Sequence, residues 1–297
     1  MTPAAADASL WALLAGPFLE FGFMRRALAG CVALSLGCAP VGVFLLLRRM
    51  SLTGDAMAHA ILPGAAISYM IAGLSLPAMT AGGIISGLLV AMASTLVARS
   101  GRQSEDSSLA AFYLMSLSLG VVIVSTYGNQ VDLLHVLFGS VLALDDDTLL
   151  LIGVISSITL LGLAVLYRPL VLECVDANLL PRRRAWGSVA HFGFMGLLVI
   201  NLVAGFHALG TLMSIGLMVL PAAAARFWAR TVNAMLVLSA LLALVAGVAG
   251  LLLSYYFEWP TGPTIVLTLG LLYCVSLLLA PAGLLRRKNR PRRHYET

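Results

Sequence analysis

The chain has 297 residues, of which 60% are hydrophobic and only 10% charged, and its formal net charge is +5. Its mean hydropathy of +0.98 excludes a water-soluble globular domain and predicts an all-α polytopic membrane protein. The basic residues lie in short clusters between apolar stretches, so they indicate membrane orientation, and no nucleic-acid partner is expected.

The first residues lack both a basic n-region and a continuous apolar stretch, so we expect an N-terminal interfacial segment over 1–26 and no cleaved signal. After it, apolar runs of spanning length predict about nine transmembrane helices in a single transmembrane domain, 1–297. The predicted spans lie near 27–47, 56–73, 78–98, 109–127, 149–167, 187–205, 209–225, 233–256 and 263–281.

The distribution of Lys and Arg predicts the orientation of these spans. With the N-terminus outside and the C-terminus inside, 16 of the 18 Lys and Arg residues fall on the cytoplasmic side, and only Arg25 and Arg26 lie outside. Residues 282–297 then form a basic cytoplasmic tail that suits anionic lipid headgroups. The four cysteines are spaced too widely for a zinc knuckle, and we interpret them as small apolar residues.

Asp55 and His59 lie together in an apolar stretch of helical length, from Ser51 to Tyr69. Residues four apart share one face of a helix, about one turn from each other. An ionised side chain near the centre of a bilayer costs roughly 2.5 to 3.5 kcal/mol. A polar pair at that depth therefore indicates a function or a structural role that offsets this cost. One interpretation is a divalent-metal site built from carboxylate and imidazole. The alternative is that Asp55 caps the helix and His59 donates to a backbone carbonyl.

Four other groups of polar residues were considered. Residues 128–148 predict an interfacial or re-entrant helix, in which Asp132 and His135 are a second possible ligand pair or a solvated loop face. We expect a structural role for His191. His207 lies in the turn between the sixth and seventh spans, and it would be a third metal ligand if that turn dips inward. Glu173 and Asp176 are expected to pair with nearby arginines.

Three segments, in order along the chain, resemble the membrane subunits of ABC importers for zinc and manganese, the metal ABC-3 permeases. They are LLLRRMSLTGDAMAHAILPGAAISY over 45–69, ALGTLMSIGLMVLPAAAARFWAR over 208–230 and LSYYFEWPTGPTIVL over 253–267. The resemblance implies a type II ABC importer fold and a homodimer in the bacterial plasma (inner) membrane. It also implies two partners, a cytoplasmic ATPase subunit and an extracytoplasmic metal-binding protein.

In a two-fold homodimer, Asp55 and His59 from both copies would supply two carboxylates and two imidazoles near the subunit interface. Such a ligand set suits zinc, which we expect as the cargo; manganese, completed by water, or iron is the alternative. The metal would be bound transiently during transport, and no resident cofactor is expected.

The segment after the seventh span carries the expected contact with the ATPase. Pro221 is expected to bend the helix, and a short inner helix bearing Arg226 and Arg230 would follow. This segment resembles the coupling-helix region of ABC importers; the alternative is a plain turn with cytoplasmic arginines. The chain has no GxxxxGK[ST] phosphate loop, so we expect ATP hydrolysis in a separate subunit and no enzymatic activity here.

Three rival functions were weighed. A proton-driven secondary transporter usually needs more intramembrane ionisable residues than Asp55, and copurification of an ATPase would separate the two. An intramembrane hydrolase lacks support, because the chain has no GxSxG motif and a single buried acid cannot form an aspartic dyad. A structural scaffold gives no reason for Asp55 and His59.

Overall fold

The computed structural model describes residues 14–73, 75–99, 101, 104–127, 144–175 and 184–281. These described residues are helical or lie in short connections, and they contain no β-strand. Residues 14–20 are helical, and the longer elements that follow are α1 (Gly22–Leu47), α2 (Ser51–Ala60), α3 (Leu62–Ala72), α4 (Leu76–Arg99), α5 (Glu105–Tyr127), α6 (Asp146–Val175), α7 (Arg184–Trp228), α8 (Val232–Phe257) and α9 (Thr261–Leu279).

Within this part of the chain, seven helices are long and apolar enough to cross a membrane. Every predicted span falls on helical residues, but two fall on shorter elements. The second span corresponds to α2 followed by α3, which meet at Ile61 and Pro63. The seventh corresponds to the second part of α7, Met213–Trp228. The polytopic, all-helical class is confirmed, while the number of nine crossings stays a prediction.

The long helix α7 reverses direction at Gly210. That residue has φ 77° and ψ 169°, a conformation available essentially only to glycine. A methyl group at Gly205 would lie 2.7 Å from Cβ of Ser214. Nine residues of straight helix would separate these positions by about 13.5 Å, so the two parts of α7 form a hairpin. The hairpin lies where the sequence predicted a turn between the sixth and seventh spans.

Small residues let the central helices approach closely. A methyl group at Gly42 of α1 would lie 1.8 Å from the backbone oxygen of Met218 in α7, and one at Gly64 of α3 would lie 2.0 Å from that of Gly82 in α4. Such backbone contacts are a usual way for transmembrane helices to pack, because lipid provides no hydrophobic force between them. The side chain of Phe44 is fully buried and packs edge-on against Tyr167 of α6 and Phe194 of α7.

Side-chain contacts fix which helix ends lie together. At one end, which we call the Arg26 end, Arg26 lies 3.4 Å from Asp146, and His207 lies 3.1 Å from Thr80. At the opposite end, the Arg48 end, Arg48 reaches Glu173. Thus α1, α4 and α6 run parallel, and the first part of α7 runs against them. This alternation agrees with the predicted spans. The membrane side that each end faces stays a prediction from the positive-inside rule.

Several predictions fall outside the described residues. They are the first half of the interfacial segment 1–26, the loop with Asp132 and His135, the acid Asp176 and the basic tail 282–297.

Candidate metal site

The helix that carries Asp55 and His59 begins directly after a sharp bend. Helix α1 ends at Leu47, Arg49 has a left-handed backbone with φ 60°, and α2 starts at Ser51. Asp55 is therefore the fifth residue of α2, and the helix has no side-chain cap. The interpretation of Asp55 as a helix cap is wrong. The cause is that α2 begins several residues earlier than the predicted span, at 51 and not at 56.

Asp55 and His59 lie on one face of α2, as their spacing predicted. Their closest atoms, Oδ1 of Asp55 and Nε2 of His59, are 3.8 Å apart, which is too long for a hydrogen bond. The side chains are 59% and 31% exposed, respectively. Nδ1 of His59 is buried and has no hydrogen-bond partner among the described residues, so the alternative of a His59 bond to a backbone carbonyl finds no support. A separation of 3.8 Å is short enough for both atoms to bind one metal ion, since each such bond is about 2.0–2.2 Å long.

The pair lies near the middle of the bundle. Ala60, one residue after His59, accepts hydrogen bonds at its backbone oxygen from Ser86 Oγ at 2.5 Å and from Ser116 Oγ at 3.1 Å. These serines are close to the midpoints of α4 and α5. Pro63 interrupts the helical hydrogen bonds just beyond, and serine hydroxyls commonly satisfy the backbone at such breaks in membranes. The polar pair is therefore held at mid-depth by neighbouring helices.

A continuous stripe of outward-facing side chains contains the pair. It runs along α2 and α3 at alternating steps of three and four residues, so its members share one face. We call it the α2–α3 stripe; its members are Leu52, Asp55, His59, Leu62 and Ala66. The opposite face of α2, with Thr53, Met57 and Ala58, is buried against the bundle. A carboxylate at this depth on an open face costs roughly 2.5 to 3.5 kcal/mol unless another surface covers it.

His207 does not join the pair in this structure. It ends the first part of α7, near the Arg26 end, where Nε2 lies 3.1 Å from Thr80 Oγ1. Thr80 gives its own proton to the Leu76 carbonyl, 2.7 Å away, so its oxygen accepts from the Nε2–H of His207. No group of three His, Cys, Asp or Glu side chains able to hold a metal occurs within the described residues. The role of His207 as a third ligand stays a prediction, and Nε2 could ligate only after this hydrogen bond breaks.

The expected coupling residues lie at the Arg48 end. Helical dihedral angles continue through Pro221 to Trp228, so the prediction of a separate short helix after Pro221 is wrong. A proline is tolerated there because the packed neighbours of a membrane helix stabilise it. Pro221 itself is buried, whereas Arg226, in the last turn of α7, and Arg230, in the bend before α8, are exposed. Neither arginine forms an ion pair within the described part of the chain.

An interior polar network at the Arg48 end was missed in the sequence. Arg48, whose side chain is only 7% exposed, donates from Nη2 to Glu173 at 3.0 Å. The same nitrogen lies 2.9 Å from Nδ1 of His191, and Nε2 of His191 lies 3.2 Å from Thr95 Oγ1. Thr95 donates to the Ala91 carbonyl, so it accepts from His191 Nε2–H, and Nδ1 accepts from Arg48.

This network, which we call the Arg48 network, confirms the structural role expected for His191. Glu173 does pair with an arginine, but its partner is 125 residues away and not in the neighbouring loop. Arg48 is three residues before the start of α2, so the network fixes the end of α1 from which the helix with Asp55 and His59 departs. Only the juxtaposition of α1, α4, α6 and α7 brings these residues together, and the sequence carries no local signal for it.

The fold and this site define a multi-pass helical membrane protein with an exposed carboxylate and a partly exposed imidazole at mid-depth. Residues 20–280 match the model of the ABC 3 transport family. The chain belongs to this family, and it is the permease subunit of an ABC-type metal importer in the bacterial plasma membrane.

The relatives are permeases for manganese and for iron. The chain is 31% identical over 271 residues to the manganese import system permease ScaB of Streptococcus parasanguinis, covering 91% of this chain and 94% of that protein. It is 30% identical over 280 residues to the manganese transport system membrane protein MntC of Halalkalibacterium halodurans, covering 94% of each. The chelated iron transport system membrane protein YfeD of Yersinia pestis is 30% identical over 272 residues, 91% of this chain and 89% of YfeD.

A solved structure supports the fold. PsaBC from Streptococcus pneumoniae, determined in complex with a Fab, superposes with a TM-score of 0.81 and 29% identity. The match covers 92% of this chain and 96% of the PsaBC chain.

Proposed function

We propose that this chain is the manganese-conducting permease subunit of an ATP-driven importer, and that two copies form the path across the membrane. The observation that carries the proposal is the exposed pair Asp55 and His59 at mid-depth. In the proposed dimer, the α2–α3 stripes of the two copies face each other, and each copy contributes one carboxylate and one imidazole. The second copy would cover the face that is costly to expose to lipid.

The chemistry of this four-ligand site fits a divalent transition metal. Carboxylates and imidazoles bind manganese, iron and zinc without sharp discrimination, so geometry and metal supply decide among them. In the importer, a metal ion would bind the Asp55 and His59 side chains of both copies, pause between the two pairs and then leave towards the cytoplasm. Two ligands from each copy hold the ion less firmly than a closed cage, which permits its release.

The choice of manganese over zinc comes from the relatives. ScaB and MntC are named for manganese, and YfeD for chelated iron. The zinc expected from the sequence has no such support, so we propose manganese as the cargo and iron as the alternative. Manganese, iron and zinc would all bind the same proposed ligands. The identity of the metal can therefore be wrong while the path through Asp55 and His59 is right.

Membership in an ABC family supports a separate ATPase as the energy source, in place of a proton gradient. The exposed Arg226 and Arg230 at the Arg48 end offer a cationic contact for that ATPase, with Pro221 in the same part of α7. An extracytoplasmic binding protein would dock at the Arg26 end. There it would deliver the metal near His207, which lies between that end and the pair.

Uptake measurements test the path. In a bacterial strain lacking this chain, we expect the wild type to restore uptake of radioactive manganese, and Asp55→Ala and His59→Ala each to reduce it to background, because half of the ligands disappear. Asp106→Asn, which removes an exposed acid in the first turn of α5, is the matched control and should transport normally. Normal uptake by both Asp55→Ala and His59→Ala would refute the assignment. Competition with iron and zinc in the wild type identifies the metal independently.

A further inference from the structure

A groove on the outer surface of the bundle lies apart from the α2–α3 stripe. It runs between α1, α6 and α8 and has a volume of about 730 Å³. Its floor includes the buried side chains of Pro40 and Phe44, and its rim includes Leu36, Val237 and Leu241, which are exposed. In a membrane, exposed rims of this kind face lipid. The groove is therefore open to the hydrocarbon region and lined mainly by apolar side chains.

The groove has the length of one bilayer leaflet. Its lining residues on α1 extend from Val32 to Phe44, and those on α8 from Asn233 to Leu244. At 1.5 Å per residue, these stretches are about 18 and 17 Å long. Half of the hydrocarbon core of a bilayer is about 15 Å. Most of the lining residues lie in the half of their helices nearer the Arg48 end, so the groove lies mainly in one leaflet.

The end of the groove at the membrane surface is polar and positively charged. There, the hydroxyl of Tyr167 donates to Oδ1 of Asn233. Arg168 follows Tyr167 on α6, and Arg230 precedes Asn233 by three residues; both arginines are exposed. Neither has an ion-pair partner among the residues described here. Two exposed arginines thus lie close in the chain to the polar end of an apolar groove, a combination complementary to an anion with a long hydrocarbon chain.

From these features we propose that the groove binds an anionic phospholipid of the leaflet at the Arg48 end. One acyl chain lies in the groove between α1, α6 and α8, and the phosphate lies at Arg168, while Arg230 remains available to the ATPase. The volume is within the roughly 300–1,000 Å³ typical of ligand sites. By the positive-inside rule this leaflet is the cytoplasmic one, where anionic lipids attract basic residues. The proposal does not rest on the metal path or on the identity of the metal.

Native mass spectrometry of the purified full-length chain tests the groove. We expect the wild type to retain one phosphatidylglycerol per chain after detergent exchange, and to prefer it to phosphatidylcholine. Ala164→Phe and Ala240→Phe fill the groove from α6 and from α8, and both should lose the retained lipid. The matched control is Ala111→Phe, which adds the same ring to an exposed position on α5 outside the groove. Unchanged retention in both groove variants, or equal loss in the control, would overturn the proposal.

The headgroup contact is tested separately. Arg168→Gln should weaken retention of phosphatidylglycerol about five-fold and leave phosphatidylcholine unaffected, which is the expected effect of one arginine near an anionic surface. Arg25→Gln, at the opposite end of the bundle, is the control and should change neither. Equal retention of both lipids by the wild type would contradict the anionic headgroup. Disulfide crosslinking of two chains through Val237→Cys would show instead that a second copy occupies the groove.

Discussion

At the scale of single residues, the protein places charges in apolar surroundings in two different ways. Arg48 and Glu173 lie in the interior and pair with each other, so their charges are compensated within one chain. Asp55 is exposed, and its neighbour His59 is 3.8 Å away, so its compensation has to come from outside the chain. A compensated interior charge is a structural feature, whereas an uncompensated one on an open face suggests a ligand or a partner.

The Arg48 network makes a prediction about stability. Arg48→Ala removes the cation that serves both Glu173 and His191, and it leaves a carboxylate that is 24% exposed without its partner, so we expect a loss of about 1–3 kcal/mol. Thermal unfolding of the purified protein in detergent measures it. Arg25→Ala, an exposed arginine at the other end, should leave the unfolding temperature within about 1 °C because surface positions contribute little. Equal unfolding temperatures for the two variants would contradict a structural role for the network.

At the scale of elements, a turn and a helix cap determine where two of the long helices reverse or begin. Gly210 reverses α7, and a capping residue starts α6. In the cap, the backbone N–H of Thr148 donates to Oδ1 of Asp145 at 3.0 Å. The hairpin brings His207 to the Arg26 end and the arginines of the same helix to the Arg48 end. Without it, α7 would be a single helix of 45 residues, much longer than the membrane is thick.

Substitution of Gly210 tests the hairpin. Gly210→Ala introduces a Cβ at φ 77° and ψ 169°, so we expect a loss of about 1–3 kcal/mol in the free energy of unfolding. Gly270→Ala is the matched control: that glycine lies within α9 and a methyl group there meets no atom within 4 Å. The control should be neutral or stabilising by up to about 1 kcal/mol. Chemical denaturation followed by tryptophan fluorescence compares the two, and equal stability would argue against a strained turn.

The cap of α6 predicts a dependence on pH. The hydrogen bonds from Thr148 lower the pKa of Asp145. A carboxylate whose pKa is lowered by folding stabilises the protein above its unfolded pKa of about 3.9, and that stabilisation is lost as the pH falls through the folded value. Asp145→Ala should cost about 1 kcal/mol at neutral pH and progressively less in acid.

Asp145→Asn is the control for this prediction, because asparagine caps a helix nearly as well and does not titrate. Unfolding temperatures measured from pH 7 to pH 3 should show the wild type and Asp145→Ala converging, while Asp145→Asn keeps its advantage over alanine. A constant difference between the wild type and Asp145→Ala across this range would contradict the assignment.

At the scale of the whole molecule, the mid-depth pair is incomplete in one chain. The α2–α3 stripe begins with Leu52, which is 77% exposed, and continues to the pair and beyond it. In a two-fold dimer the same surface of both copies forms the interface. The stripe of one copy therefore faces the stripe of the other, and Asp55 and His59 are each supplied twice. The proposed path therefore depends on association, and association is itself measurable.

Crosslinking tests the dimer. After replacement of the exposed Cys274 by serine, Leu52→Cys should form a disulfide-linked dimer in membranes on mild oxidation. Leu161→Cys, on α6 and also exposed, is the control for random collisions and should remain monomeric. Crosslinking at Leu161 and not at Leu52 would place the interface on another face. It would leave Asp55 and His59 without a second pair.

The class of protein and the positions of its helices follow from the amino-acid sequence alone. Apolar runs of bilayer length are a local property, since each span must satisfy its own backbone within lipid, and the basic clusters predict their alternation. The spacing of Asp55 and His59 likewise determined that they share a face. Three ordered motifs were sufficient for the family, although they did not distinguish zinc from manganese.

The side-chain contacts across the bundle depend instead on how whole helices pack against one another. Arg48 and Glu173 are 125 residues apart and no local pattern relates them. The depth of His59 depends on contacts of the next residue with Ser86 and Ser116 on two other helices. The continuity of α7 through Pro221 depends on packing that overrides the local preference of proline. Such contacts arise from the arrangement of whole helices, because a side chain's partners across a bundle are set by packing and not by its neighbours in the sequence.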